Sequence, residues 1–122
     1  MRTKAKTGRG ANGLNTLRSS LPPQLLDKLQ QLAQKYYAEG LDLFVFGSFA
    51  RGDQKPTSDL DLGVEWHGKP KPEVFLKLYW DIQALPTIRK IELVDFDQTD
   101  LNFRQIAASA KIYLFKPERV AG

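Results

Sequence analysis

The sequence of 122 residues contains no cysteine and a single histidine, His67. Disulfides, thiolate metal sites and metal centres built from several histidines are therefore excluded. No apolar run approaches the ~18 residues that a membrane-spanning helix requires, and the first residues show no signal-peptide pattern. These absences lead us to expect a cytoplasmic protein that has no membrane association.

Acidic residues are also absent from residues 1–20, which contain five of the 18 Lys and Arg residues. The formal net charge of +4 comes from this segment, because the other 13 basic residues are outnumbered by 14 acidic ones. We predict a disordered basic tail over 1–20 and one folded domain over 21–118. The alternative for the tail is an arm that binds nucleic acid or an acidic partner. For the folded domain, the charge balance argues against nucleic acid.

The domain combines apolar stretches of two periods, one typical of strands and the other of helices. The predicted strands cover 41–46, 59–66, 90–96 and 111–115, and the predicted helices cover 22–39, 48–51, 72–85 and 101–110. This order predicts an α/β (α+β) fold, with a small mixed sheet of about four strands and helices packed mainly on one face. We expect the other face of the sheet to be open and to carry the site.

Gly47 and Ser48 lie between the first strand and a short helix. Glycine permits a tight turn and a close approach of the backbone to a ligand. The free N–H groups at the start of a helix favour a phosphate, the Ser48 hydroxyl adds a further polar group, and Arg51 adds a planar cation. Gly47, Ser48 and Arg51 are thus candidates for phosphate binding, with an ordinary turn as the alternative.

Asp59 and Asp61 occupy alternate positions at the start of the second strand. A period of two places their carboxylates side by side on one face, while Leu60 and Leu62 face the core. Neighbouring carboxylates repel each other unless a cation lies between them, and magnesium accepts both carboxylate and phosphate oxygens. Beside a phosphate-binding turn, this pair favours metal-assisted phosphoryl or nucleotidyl transfer. A solvated strand face is the alternative.

The string GSFARG that begins at Gly47, followed by SDLDL around Asp59 and Asp61, resembles the signature of the nucleotidyltransferase superfamily related to DNA polymerase beta. The fuller string is similar to that of the minimal nucleotidyltransferases (MNT proteins). The resemblance implies the nucleotidyltransferase fold and ATP as the substrate. Gly47 and Ser48 would hold the nucleotide phosphates with help from Arg51. Asp59 and Asp61 would bind two magnesium ions.

The resemblance also implies a third carboxylate on a later strand, where Glu92 and Asp95 are the candidates. They are three residues apart and therefore point to opposite faces of the strand. If Ile91 and Leu93 face the helices, Glu92 faces the metal side and is the third catalytic and metal-binding carboxylate. The family usually has aspartate at this position, and the longer Glu92 side chain could displace the metal or the acceptor hydroxyl. Asp95, nearer the strand end, is the alternative third carboxylate.

The resemblance covers about residues 24–116 and also implies a partner. Minimal nucleotidyltransferases are small prokaryotic proteins, often antitoxins, that pair with small helical proteins of the HEPN or nucleotidyltransferase-substrate-binding type. The first hypothesis is a magnesium-dependent antitoxin that transfers AMP from ATP to a tyrosine hydroxyl of such a partner in a hetero-oligomer. The second is a nucleotide-binding antitoxin that acts by complex formation. The third is AMP transfer to a small molecule, for which we recognise no acceptor pocket in the sequence.

Overall fold

The computed structural model describes residues 9–107 and 110–117, which form a four-stranded sheet with helices. The strands are β1 (Leu41–Phe46), β2 (Leu60–Trp66), β3 (Ile91–Asp95) and β4 (Ile112–Tyr113). Their order in the sheet is β3-β2-β1-β4. Strand β1 is antiparallel to β2 and β4, whereas β2 is parallel to β3. The predicted small mixed sheet is therefore confirmed.

The predicted helices begin and end close to the predicted positions, and the structure adds a helix at the start of the chain and a 3-10 helix after β3. They are α1 (Arg9–Ser20), α2 (Pro23–Tyr37), α3 (Ser48–Arg51), α4 (Pro72–Gln83), a 3-10 helix (Phe96–Gln98) and α5 (Leu101–Ala107). Proline opens both α2 and α4, because its missing N–H is not needed in the first helical turn. In the part of the chain that the structure describes, no helix combines the length and the apolar character needed to cross a bilayer.

Helix α1 corrects the prediction of a disordered tail for residues 9–20. Leu17 is fully buried in the main core, and Leu14 packs against that core. The helix also approaches β4, because a Cβ on Gly13 would lie 3.2 Å from the Ile112 side chain. The prediction failed because two leucines on one helix face are enough to anchor a segment that is otherwise polar. The rest of the predicted tail, at 1–8, lies outside the described residues.

The main core lies between the sheet and helices α1, α2 and α4. Every second residue of the two central strands is fully buried there. These residues are Leu41, Leu43, Val45, Leu60, Leu62 and Val64. Helix α2 adds Leu25, Leu29 and Tyr36 at helical spacing. Burying a large apolar side chain contributes roughly 1.5–3 kcal/mol, so this face fixes the strands that carry the site.

The opposite face of the sheet carries a smaller aromatic core and is less open than predicted. Phe44 and Phe46 of β1 pack against Phe96 of the 3-10 helix, with ring centroids 4.8 and 5.0 Å apart. Phe103 of α5 lies against Phe46 at 5.9 Å. A side chain at Gly63 would collide with the rings of Phe44 and Phe96. Helix α5 and the 3-10 helix thus cover the middle of this face.

Candidate active site

A tight turn at Gly47 joins β1 to α3. Gly47 has φ +76° and ψ −151°, a backbone conformation that residues with a side chain rarely adopt. A Cβ at this position would also collide with the carboxylate of Asp61. The N–H groups of Ala50 and Arg51 donate to the Gly47 carbonyl at 3.1 and 3.0 Å, which fixes the turn. The predicted phosphate-binding turn therefore lies directly against an acidic residue of β2.

Two strand registers place Asp61 at the centre of the site. In the antiparallel pair it lies opposite Phe46, the residue before the Gly47 turn. In the parallel pair it lies beside Glu92 of β3. Paired positions share one face of a sheet, so Asp61 and Glu92 are neighbours on the face opposite the main core. Asp59 lies just before β2 and is partly exposed.

The electrostatics of Asp61 indicate an unbalanced negative charge. Burial raises its pKa above the ordinary value, and the negative charges of Glu92 and Asp59 raise it further. The positive charge of Arg51 opposes this shift without cancelling it. The Arg51 guanidinium is itself paired with Asp53, with Nε 3.2 Å from Oδ2. A cation beside these carboxylates would relieve the repulsion.

The oxygen donors on this face fit magnesium, a hard cation that takes carboxylate and phosphate oxygens. Within residues 9–107 and 110–117, however, no three side chains of Asp, Glu or His already converge as a metal site. The Glu92 carboxylate lies instead 3.7 Å from the Lys90 ammonium group, and both side chains are largely exposed. Three-carboxylate coordination would therefore require Glu92 to turn away from Lys90 toward Asp61.

Asp95 lies on the other face of β3 and is already engaged. Its carboxylate accepts hydrogen bonds from the Trp66 indole N–H at 3.1 Å and from the Asp97 backbone N–H at 3.0 Å. Ile91 and Leu93, which share its face, pack against the main core. The structure thus brings Glu92, and not the alternative Asp95, to the side of Asp61.

Two basic residues beside the site were missed in the sequence. Lys90 is two residues before Glu92 in an extended segment, and that spacing could have placed them on one face. Arg89 reaches the loop before Asp59, where its Nη1 donates to the Ser58 carbonyl at 2.7 Å. Arg89 and Ser58 are 31 positions apart, so no local pattern could have revealed this contact.

His67 belongs to the opposite end of the sheet. Trp66, the last residue of β2, pairs with Leu41, the first residue of β1. The His67 Nε2 lies 3.1 Å from the Asp42 carboxylate, and the ring stacks edge-on against Tyr37 at 4.4 Å. His67 therefore forms a pair with Asp42 at one end of the central strands, whereas the candidate site around Asp61 lies at the other end.

This combination of a mixed sheet, a glycine turn and paired strand carboxylates agrees with the comparisons with known proteins. Residues 27–119 match the family model described as polymerase beta, nucleotidyltransferase. The chain belongs to this nucleotidyltransferase family. The match covers more than half of the chain and confirms the family resemblance that the motif at Gly47 and Asp59 carries.

Individual relatives agree with this assignment. The chain is 34% identical over 65 residues to MJ1215 of Methanocaldococcus jannaschii, which has a provisional name as a protein adenylyltransferase; this covers 53% of the chain and 72% of that protein. A crystal structure of a toxin–antitoxin with AMP-PNP has a TM-score of 0.57 at 20% identity. The crystal structure of a mutant of the toxin–antitoxin MntA–HpeT has a TM-score of 0.56 at 18% sequence identity. Each structural match covers 76% of this chain and 74% of the other. These two structures confirm the nucleotidyltransferase fold.

Proposed function

We propose that this nucleotidyltransferase transfers AMP from ATP to a hydroxyl group on a small helical partner protein, as the antitoxin of a two-component pair in the cytoplasm. The observation that carries the proposal is the register that sets Asp61 beside Glu92, with the Gly47 turn against the Asp61 carboxylate. This arrangement brings a candidate phosphate turn and candidate metal ligands together at one end of the sheet.

The proposed step forms a bond between the acceptor oxygen and the α-phosphorus of ATP and breaks the bond from that phosphorus to the leaving pyrophosphate. The Gly47 turn and Ser48 would hold the phosphates, with Arg51 nearby. Asp59, Asp61 and Glu92 would hold magnesium. When bound, magnesium would favour loss of the acceptor proton and neutralise the pyrophosphate. The protein would contribute mainly by positioning the reacting groups.

The relatives support the acceptor and the nucleotide in this proposal. The name of MJ1215 points to transfer of an adenylyl group to a protein. The two structural neighbours are toxin–antitoxin proteins, and one of them contains AMP-PNP. A partner of the HEPN or nucleotidyltransferase-substrate-binding type, as the resemblance implies, would give a hetero-oligomer.

Transfer from differently labelled ATP onto a co-expressed helical partner tests the proposal. Label in the α-phosphate should appear on the partner, whereas label in the γ-phosphate should not. The Asp59→Ala/Asp61→Ala variant should transfer none. Asp27→Ala is the matched control, because Asp27 is an exposed carboxylate on α2 that binds only its helical neighbour Gln31 among the contacts the structure records. Undiminished transfer by the double variant would contradict the mechanism.

A second candidate function is neutralisation by complex formation without turnover. It is favoured by the position of Glu92, which replaces the usual aspartate and lies near Lys90 at 3.7 Å instead of converging with the other carboxylates. In that case the Asp59→Ala/Asp61→Ala variant should still neutralise the partner in a growth assay. Loss of neutralisation while the complex still forms would contradict this second function.

A further inference from the structure

Arg89 lies in the segment between α4 and β3 and contacts residues that directly neighbour two parts of the candidate site. Its Nη1 donates to the Ser58 carbonyl at 2.7 Å and approaches the Pro56 carbonyl at 3.5 Å. The guanidinium carbon lies 4.9 Å from the ring centre of Phe49. Ser58 directly precedes Asp59, and Phe49 directly follows Ser48.

The surroundings of Arg89 make this contact well defined. Its own backbone N–H donates to the Thr87 hydroxyl at 3.0 Å, and the next carbonyl, of Lys90, accepts from the Leu60 N–H at 3.0 Å. Phe49 is 1% exposed, so the ring beneath the guanidinium is fixed in the main core. One face of the Arg89 guanidinium thus lies over the Phe49 ring, while its Nη1 donates to the loop at Ser58.

The loop before Asp59 is closed by a pair of hydrogen bonds between Ser58 and Lys55. Ser58 and Lys55 bond to each other, through Ser58 N–H to the Lys55 carbonyl at 2.9 Å and Lys55 N–H to the Ser58 hydroxyl at 2.8 Å. These bonds close the loop on itself without tying it to the sheet. The Arg89 side chain supplies a tie from this loop to the β3 side of the domain.

We propose that Arg89 is a positioning residue that fixes the Asp59 carboxylate relative to the Gly47 turn. The inference rests on the proposed function, because it assigns Arg89 a role in building the same site. Arginine suits this role, since its planar fork can donate to carbonyl oxygens while its face stacks on an aromatic ring. Lysine keeps the charge but provides neither the fork nor the flat face.

A titration with Mn²⁺ alone tests this role. Binding is monitored by electron paramagnetic resonance at a temperature where every variant is folded. Arg89→Ala should bind Mn²⁺ about tenfold more weakly, the usual cost of losing a residue that orients a metal ligand. Arg89→Lys should lie between Arg89→Ala and the wild type. The sign is informative, because loss of a nearby positive charge would by itself strengthen binding of a cation. Unchanged or tighter binding by Arg89→Ala would overturn the inference.

Amide hydrogen exchange in the metal-free protein provides the second measurement. Exchange at Lys55 and Ser58 should be faster in Arg89→Ala than in the wild type, because the loop loses its tie to the sheet. Equal exchange would overturn the inference even if metal binding were weakened. Arg18→Ala is the matched control, since Arg18 bonds Asn15 on an exposed face of α1 and should change neither measurement.

The two proposals fail in different ways in these experiments. If the wild type binds no Mn²⁺, the metal-dependent function itself is contradicted, and the role of Arg89 falls with it. If the wild type binds Mn²⁺ through Asp59 and Asp61 and Arg89→Ala binds it equally well, only the role of Arg89 is overturned.

Discussion

Asp61 and Glu65 are carboxylates on the same strand and the same face of the sheet, but their surroundings are opposite. Glu65 accepts a hydrogen bond from the Lys111 ammonium at 2.6 Å and another from the Tyr113 hydroxyl at 2.7 Å. Among the described residues, Asp61 has the carboxylates Glu92 and Asp59 as its charged neighbours, and the positive charge of Arg51 opposes them. The carboxylate at the Glu65 end of β2 is therefore paired with hydrogen-bond donors, whereas the one at the Asp61 end lies mainly among like charges.

The pKa shifts of the two groups express this difference. Burial would raise the pKa of Glu65, but the hydrogen bonds from Lys111 and Tyr113 bring it below the ordinary value. Burial and like charges together raise the pKa of Asp61. A partly buried carboxylate whose charged neighbours are mostly of the same sign is a candidate for a functional group, whereas Glu65 has the hydrogen-bond partners expected of a structural one. The comparison separates a candidate ligand-binding group from a structural one on a single strand.

The largest effect should come from isosteric amides at the two positions. If Asp61 binds the metal as proposed, Asp61→Asn should lower AMP transfer by on the order of 10³, because it removes a charge that would hold the cation beside the nucleotide phosphates. Glu65→Gln should leave transfer nearly unchanged, since the hydrogen-bond partners of Glu65 are Tyr113 of β4 and Lys111 just before it. Initial rates with ATP labelled in the α-phosphate measure both. Similar losses in the two variants would show that the contrast along β2 has no functional meaning.

A smaller effect should follow when the Glu65 end of the strand loses a partner. Lys111→Met should lower the free energy of unfolding by about 1–3 kcal/mol, because the partly buried Glu65 carboxylate loses its hydrogen bond from the Lys111 ammonium and, of the two donors described above, keeps Tyr113. The Lys111 ammonium also lies 4.8 Å from the centre of the Phe44 ring, and this contact is lost as well. Urea denaturation measures the change.

Lys77→Met is the matched control for that substitution, because Lys77 is exposed on α4 and should tolerate the change. In a double-mutant cycle, Lys111→Met should cost less in a Glu65→Gln background than in the wild type. Additive losses would show that the Glu65–Lys111 pair does not contribute to stability as a unit.

Features that depend on residues close together in the sequence could be predicted from it. The strand period predicted that Asp59 and Asp61 share one face, because alternation along a strand is local. It left the third carboxylate open between Glu92 and Asp95, and the register of β2 and β3 sets Glu92 beside Asp61. The Gly47 turn was likewise visible from its neighbours. The catalytic and metal-binding roles of these residues remain predictions.

The contacts that could not be predicted are distant in sequence. Glu65 meets Lys111 across 46 positions and Tyr113 across 48, so nothing near Glu65 marks it as paired. The same holds for the aromatic core, in which Phe96 joins Phe44 from another element. Helix α1 was missed for a different reason. Its burial depends on two leucines, Leu14 and Leu17, whereas the prediction of disorder was based on the mostly polar composition of the whole segment.

The smallest predicted effect is a difference in the sign of pH dependence. A depressed pKa means that Glu65 stabilises the fold above its ordinary value, around pH 4, and that this contribution is lost as the pH falls through the folded-state pKa. A raised pKa means that ionised Asp61 destabilises the fold at neutral pH, and that acidification through its folded-state pKa relieves this cost. In metal-free buffer at pH 7, Glu65→Gln should therefore be less stable than the wild type and Asp61→Asn more stable.

Denaturation curves between pH 3 and pH 7 measure both differences, which should shrink toward zero at the acidic end. Saturating magnesium should then reverse the order at Asp61 alone, because a ligand that binds only the folded state stabilises it and Asp61→Asn binds magnesium less well. Glu65→Gln should gain as much from magnesium as the wild type does. If magnesium stabilises Asp61→Asn and the wild type equally, the unpaired charge at the start of β2 is not a metal site.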